Sequence, residues 1–215
     1  MNPKPKVSHY NKPHIGIDEA GRGTLIGRVY AACVIFKDTT TQPPVNIIDS
    51  KKLTPPKRRK AFEWIKNNTF WGIGYADEKE VDDINILQAT RNAMERSIFD
   101  LKSKYEAGAL GPQALARRVP NCLLIDGSGW NGKFKDFEVV SVVGGDSKYY
   151  SIAAASILAK EFHDDHIKEL VNGEPELNTK YSLLTNMGYA TKKHKDGIRE
   201  FGKTKYHRQT FKCVK

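Results

Sequence analysis

No apolar run in this chain is long enough to cross a bilayer. The longest, Val29 to Phe36, falls far short of the roughly 20 residues that a spanning helix needs. The opening stretch, MNPKPKVSHYNKPH, is basic but leads into no apolar segment, so it does not read as a secretory signal. Cysteine is scarce: Cys33, Cys122 and Cys213 are an odd, scattered set. That excludes a disulfide framework and a cysteine-based zinc site, and reduced thiols in the cytoplasm are expected. There is no internal repeat and no low-complexity tract, which excludes a solenoid or a disordered polar chain. Acidic residues are outnumbered, 25 against 35 Lys and Arg, leaving a formal charge of +10.

What remains is an ordinary globular composition, 39% hydrophobic and 28% charged over 215 residues. That is enough for one domain with a real core. The charge excess points to a polyanionic partner, and its placement sharpens this. From Lys192 to the C-terminus the chain carries Lys192, Lys193, Lys195, Arg199, Lys203, Lys205, Arg208, Lys212 and Lys215 against Asp196 and Glu200. A second cluster is Lys51, Lys52, Lys57, Arg58, Arg59 and Lys60. The alternative for both is a pair of solvated faces. Neither lies opposite a Trp, Phe and Leu stripe on a long helix, as a membrane-surface segment would.

Strand patterns occur at His14 to Asp18, Val29 to Phe36, Phe70 to Ala76, Cys122 to Ile125 and Phe137 to Val143. Val29 to Phe36 is continuously apolar, as in a strand covered on both faces. Helices are expected from Thr54, with Pro55 at the first position, to about Asn67, and over Asn85 to Tyr105 with Leu87, Met94, Ile98 and Leu101 on one stripe. Two more should span Tyr149 to Leu170, its inner face carrying Ile152, Ala155, Ala159 and Phe162, and Thr191, a natural N-cap, to near Gly202. The order predicts an α/β domain, a mixed sheet flanked by helices with a basic helical C-terminal part over about 171–215. Residues 1–13 read as a loose tail, and Gly108 to Pro120 as a connector.

In a basic chain, three sites place carboxylates at the ends of predicted strands: Asp18-Glu19 before Ala20-Gly21-Arg22-Gly23, Asp126 before Gly127, and Asp146 after Gly144-Gly145. Adjacent strand residues point to opposite faces, so Asp18 and Glu19 serve one site only if the strand ends there. Singly, each is equally explained as a turn residue or helix cap. Gathered together they would repel one another without a cation, and such hard oxygen ligands suit Mg²⁺ or Mn²⁺. Two such ions activate water and stabilise the leaving oxygen in phosphodiester cleavage.

The stretch GIDEAGRG, Gly16 to Gly23, resembles the signature of ribonuclease HII. The likeness continues in order through DSKKL (Asp49 to Leu53), INILQATRNAM (Ile84 to Met94), LLIDG (Leu123 to Gly127) and GGDSKYYSIAAASILAK (Gly144 to Lys160). It closes with GYATKKH (Gly188 to His194) and HRQTF (His207 to Phe211). The resemblance implies a ribonuclease H-like fold with Asp18, Glu19, Asp126 and Asp146 as catalytic metal ligands for two ions. It implies cutting of the RNA strand of RNA–DNA hybrids, and of duplex DNA on the 5′ side of an embedded ribonucleotide, leaving a 3′-hydroxyl and a 5′-phosphate. By the same resemblance Gly21, Arg22 and Gly23 contact the 2′-hydroxyl, the group that separates RNA from DNA, and Tyr189 stacks on the neighbouring deoxyribose. Ser50, Lys51 and Lys52 would follow the substrate backbone, and Lys148 and Lys160 would approach phosphate.

The chain departs from the family pattern at Thr24 to Arg28, at Tyr181 to Met187 and at Ala190, which bears on substrate positioning and not on the carboxylates. The ribonuclease HIII branch is the nearest rival; it is similar to a chain with an extra N-terminal domain and lacks the arginine between the two glycines. A non-catalytic hybrid-binding module would have lost a carboxylate, and none is missing. A scaffold that docks on a replication clamp is the third reading, carried only by Gln209-Thr210-Phe211-Lys212. A monomer is expected.

Overall fold

The computed structural model describes residues 7–37, 43, 46–107 and 119–214. At its centre is a five-stranded sheet in the order β3-β2-β1-β4-β5. The strands are β1 (Ile15–Ala20), β2 (Val29–Phe36), β3 (Thr69–Ala76), β4 (Cys122–Asp126) and β5 (Glu138–Val142). β1, β2 and β3 form an antiparallel meander, while β4 and β5 run parallel to β1. The mixed α/β sheet expected from the order of the elements is the one observed.

The helices are α1 (Pro55–Asn68), α2 (Glu78–Ile84), α3 (Ile86–Ala107), α4 (Tyr150–Gly173), α5 (Glu176–Tyr181), α6 (Leu183–Asn186) and α7 (Lys192–Phe201). The two sheet faces bury different sets of side chains, as strand alternation requires. Ile15, Ile17, Ala31, Cys33, Leu123 and Ile125 pack with Ala93, Met94, Ile98 and Leu101 of α3. Ala20, Ala32 and Val34 pack with α1 and with the alanine-rich stretch of α4. The expected stripe on α3 needs one correction: Leu87 is exposed. It lies in the first turn, ahead of the point where the helix meets the sheet, and Ala89 and Ala93 supply the contact there.

α3 sits close on β3 because Gly72 and Gly74 leave it room. A Cβ on Gly72 would lie 2.1 Å from the Ser97 carbonyl oxygen, and one on Gly74 2.2 Å from that of Ala93. From this seat Asp100 accepts the Ile73 N–H at 2.9 Å, and Arg96 donates to the Tyr75 carbonyl at 2.6 Å. On the opposite edge the Asn131 side chain accepts the Ser141 N–H at 3.2 Å.

Residues 7–13, expected to be part of a loose tail, are held down. Ser8 pairs with the backbone on both sides of Tyr149, at 3.0 Å each, and Lys12 reaches Glu138 at 2.7 Å. The expected connector over Gly108 to Pro120 falls mostly outside the described residues. The C-terminal α5, α6 and α7 pack around Tyr181, Leu183 and Ile167, with Ile26 of the β1–β2 connection inside the same cluster. Cys33, Cys122 and Cys213 are free thiols. Among the described residues no helix is long and apolar enough to cross a membrane.

Candidate active site

The register of β1 against β4 determines where the carboxylates go. Gly16 pairs with Leu124, and the pairing stops at Ile17 with Ile125. Asp18 and Asp126 each follow by two residues, so they stand level on the same face. That is the face under α4, where Asp18 meets Ser156 and Asp126 Oδ1 accepts the Gly145 N–H at 2.7 Å. Glu19 points the other way. The strand was expected to end at Asp18 so that both carboxylates could share a site, but β1 continues to Ala20, paired with β2 alone. What opens the site is the missing β4 partner beyond Ile17: on that side the strand has a free edge, and Glu19 reaches the cleft there.

A cleft of about 420 Å³ holds Asp18, Glu19 and Asp126 together with Gly21, Arg22, Gly23, Lys51, Lys160 and Tyr189. Asp146, in the short 3-10 turn Gly145–Ser147, is not among the residues lining the cleft. It stands near enough to Asp49, Asp126 and Lys51 for their charges to act on it. Sequence reasoning passed over Asp49, although its place before Ser50 and Lys51 marks it as a turn cap; its Oδ1 accepts the Lys51 N–H at 2.9 Å.

The electrostatics are those of crowded like charges. Burial, then Glu19 and Asp126, push the Asp18 carboxyl well above its ordinary range. Burial also raises Glu19, with Asp126 adding to it and Arg22 opposing. Burial, then Asp49 and Asp126, raise Asp146. Partial burial works against the Lys51 charge, yet Asp146, Asp18 and Asp49 hold its ammonium above the usual value. The donor set fits a hard divalent cation. Glu19 Oε2 is buried with no hydrogen-bond partner, while its Oε1 takes Arg22 at 3.1 Å. Among the described residues no three acidic, histidine or cysteine side chains are already closed around one point. Asp126 Oδ1 accepts from Gly145 and Glu19 Oε1 from Arg22, which leaves Glu19 Oε2 as an oxygen without a partner in the cleft.

The Gly21–Gly23 loop forms one wall of the cleft. Gly21 has φ +88°, a left-handed conformation that favours glycine, and a Cβ there would lie 2.5 Å from the ring of His163. Thr24, in the first departure from the family pattern, closes the turn with its hydroxyl on the Gly21 carbonyl at 2.9 Å. Tyr189 stands opposite, bridged to Thr24 through the backbone, with Lys160 Nζ 5.3 Å from its ring centre. The second departure supports it from below: buried Asn186 donates to the Tyr181 carbonyl at 2.7 Å and accepts the Gly188 N–H at 2.8 Å.

The two basic clusters are less free than their sequence suggests. Arg58 is bound to Glu161 at 2.6 Å and to Asp164 at 3.4 Å, and Arg59 to Asp165 at 2.7 Å. Both therefore tie α1 to α4 and are spent on the fold. Lys51, Lys52, Lys57 and Lys60 stay exposed, Lys52 with Asp49 at 3.5 Å. Lys160 is also paired, to Asp164 at 2.7 Å, and Lys148 donates to the Val143 carbonyl at 2.8 Å. In the C-terminal cluster Arg208 is fully buried and does not belong to the basic face. Lys192, Lys193, Arg199, Lys203, Lys205 and Lys212 do. Gln209 donates inward to the carbonyls of Thr204 and His207, at 3.0 and 2.7 Å.

A five-stranded mixed sheet with acidic residues on two neighbouring strand ends is the arrangement of the ribonuclease H class. The structure superposes on the PCNA:RNase HII complex from Archaeoglobus fulgidus with a TM-score of 0.67 at 22% identity, covering 94% of this chain and 96% of that one. Among curated relatives, Ribonuclease HII of Pelagibacter ubique is 43% identical over 93% of this chain and 95% of its own length. That of Phocaeicola vulgatus is 43% identical over 93% and 89%. The ribonuclease HII family profile matches residues 15–214. The chain belongs to the ribonuclease HII family and is a hydrolytic endoribonuclease that acts on the RNA strand of RNA–DNA hybrids.

Proposed function

We propose that this enzyme also incises duplex DNA on the 5′ side of a single embedded ribonucleotide, leaving a 3′-hydroxyl and a 5′-phosphate, with Asp18, Glu19, Asp126 and Asp146 as metal ligands. The observation that carries the reading is the level placement of Asp18 and Asp126 under α4, beside a glycine loop whose backbone lines the same cleft. When bound, two divalent ions, Mg²⁺ or Mn²⁺, lower the pKa of the attacking water and neutralise charge on the leaving oxygen.

The chain's own residues do the rest. Asp18 and Asp126 present their oxygens from one face, and the open edge of β1 admits Glu19. Arg22 leaves Glu19 Oε2 free for a ligand while holding Oε1. The backbone at Gly21 and Gly23 carries no side chain of its own, so it can approach a sugar and read the 2′-hydroxyl. Tyr189, 37% exposed, offers its ring to the next sugar. Lys51 and the exposed lysines of α7 face the phosphates, which makes binding dependent on salt. The enzyme would act wherever the cell keeps its DNA, in the cytoplasm for a cell without a nucleus. The Archaeoglobus enzyme was solved with PCNA, and a clamp is a partner consistent with that complex. In this chain Gln209 is engaged within the fold, so it is not a free tail for such docking.

The test is incision of a labelled DNA duplex carrying one ribonucleotide, with Mg²⁺, Mn²⁺ or EDTA, beside the Asp126→Asn protein. A metal-dependent cut 5′ of the ribonucleotide, absent in the variant, is expected. Cleavage of a long hybrid without that cut would remove the junction reading; full activity of Asp126→Asn would remove the metal-site assignment.

A further inference from the structure

We infer that Arg208 is a positioning residue for ribonucleotide recognition: it orients the Arg22–Gly23 peptide so that the Gly23 N–H faces the cleft. The inference rests on the reading of the glycine loop given above and adds the residue that sets its geometry.

Among the described residues Arg208 is one of the largest side chains that are fully buried. A buried guanidinium is normally paired with a carboxylate. Here it is spent on backbone carbonyls of the β1–β2 connection: Nη1 donates to Arg22 O at 3.2 Å and Thr24 O at 3.0 Å, and Nε to Gly27 O at 3.0 Å. Glu78 and Asp82 favour its charge only from a distance, and burial brings its pKa down to about 10. Nη2 has no partner. Burying a charge with so little compensation is costly, and the return is a loop whose three carbonyls all converge on one fixed point.

The chemical consequence follows from the planarity of the peptide bond. In a trans peptide the C=O and the N–H of the next residue point in opposite directions. Drawing the Arg22 carbonyl inward to a fully buried guanidinium therefore turns the Gly23 N–H outward. Gly23 lines the cleft, and the nearest side-chain atom to a Cβ placed on it would be 3.9 Å away, on the Tyr189 ring. An outward N–H in that position can donate to a hydroxyl oxygen on a ribose and finds no such acceptor on a deoxyribose.

Arg208 is itself held in place. Its own N–H donates to the Leu25 carbonyl at 2.9 Å, and Asp82 accepts the N–H groups of Gln209 and Thr210 at 2.7 and 2.9 Å. On its other side His207 meets His194 Nε2 to Nε2 at 3.2 Å. His194 Nδ1 faces the Tyr189 carbonyl at 3.1 Å, so it carries the proton and its Nε2 accepts. His207 must then donate from Nε2 and accept the Thr204 N–H on Nδ1, which it does at 3.0 Å. One hydrogen-bonded chain thus joins the backbone of Tyr189 to the segment that carries Arg208.

The experiment compares binding of a DNA duplex with one ribonucleotide to binding of the all-DNA duplex, in EDTA, for the full-length wild type, Arg208→Lys and Arg208→Met. Wild type should prefer the ribonucleotide. The loss of one neutral hydrogen bond should cut that preference by roughly five- to tenfold in either variant, with all-DNA affinity unchanged. Undiminished preference in a folded variant would overturn the inference. No preference in the wild type would overturn the ribonucleotide reading itself, and this inference with it. Should both variants fail to fold, the wild-type Gly23 amide decides. Its NMR resonance should shift on adding the ribonucleotide duplex and not the all-DNA duplex; equal shifts would refute the assignment.

Discussion

Replacing Asp18 by asparagine should stop cleavage and at the same time make the metal-free protein more stable. Asp18 lies under α4 with Glu19 and Asp126 as like-charged neighbours, and burial holds its carboxyl well above the ordinary 3.8. A folded-state pKa raised above the unfolded value means that the native state resists ionisation. The penalty is absent below the unfolded value and full above the folded one. At neutral pH the wild type therefore bears it and Asp18→Asn does not. The asparagine keeps an oxygen to accept the Glu19 N–H, now at 2.7 Å, so the local hydrogen bonding survives. Relief of a destabilised functional-site charge is worth on the order of 1–2 kcal/mol. In a chain of this length that is about 2–8 °C in Tm. Calorimetric scans in EDTA at neutral pH measure it directly. The advantage should shrink as pH falls through the folded value and vanish near 3.8. Added Mg²⁺ should reverse it, stabilising the wild type more than the variant. A variant less stable than wild type in EDTA at neutral pH would refute the reasoning, because it would mean that the Asp18 charge is already compensated within the protein.

Tyr189→Ala should slow incision at single embedded ribonucleotides more than cleavage of long hybrids, measured as kcat/KM on the two substrates; equal losses would show that the ring does not sense the junction. Arg58→Met removes the cation shared by Glu161 and Asp164, which keep Arg59 at 3.4 Å and Lys160 at 2.7 Å, and should cost about 1–3 kcal/mol in urea unfolding; no measurable loss would mean that those two remaining cations already satisfy the carboxylates. His166 and His207 are both pushed down to about 4, in each case chiefly by burial. Their depressed values favour the native state above the ordinary histidine value of 6.5, and that contribution is lost as pH falls from there toward 4. His207→Gln should flatten the fall in unfolding free energy over this window, and an unchanged slope would show that His207 does not titrate with unfolding.

The parts of the fold legible in the sequence were those with a strong period or a clear cap. Val29 to Phe36 reads as a doubly covered strand, and Pro55 and Thr191 mark helix starts that the structure bears out within a residue or two. α2, α5 and α6 were not legible. They are too short to show a helical period, and at their ends Asn85, Ser182 and Met187 take positive φ without the glycine that would announce it. The carboxylates of the cleft could be read because chemistry restricts their residue type. Arg208 and Asp49 could not. In a linear sequence Arg208 is one more cation in a basic tail, and only the fold shows that it is enclosed. Arg58 and Arg59 are the converse case, since a run of positive charge reads as a surface until its acidic partners on α4 are known.

The side chains that cap the two outer strands have a bearing on how this enzyme can be handled. A sheet edge exposes a row of unused amides and carbonyls, and any extended segment of another molecule can add to it as a further strand. Here Asp100 and Arg96 occupy that row along β3, and Asn131 occupies a position on β5. A basic nuclease must remain dispersed while concentrated along a polyanion, where neighbouring copies are held side by side. Side chains that already engage these groups hinder the simplest route by which such crowded molecules could join to one another strand to strand.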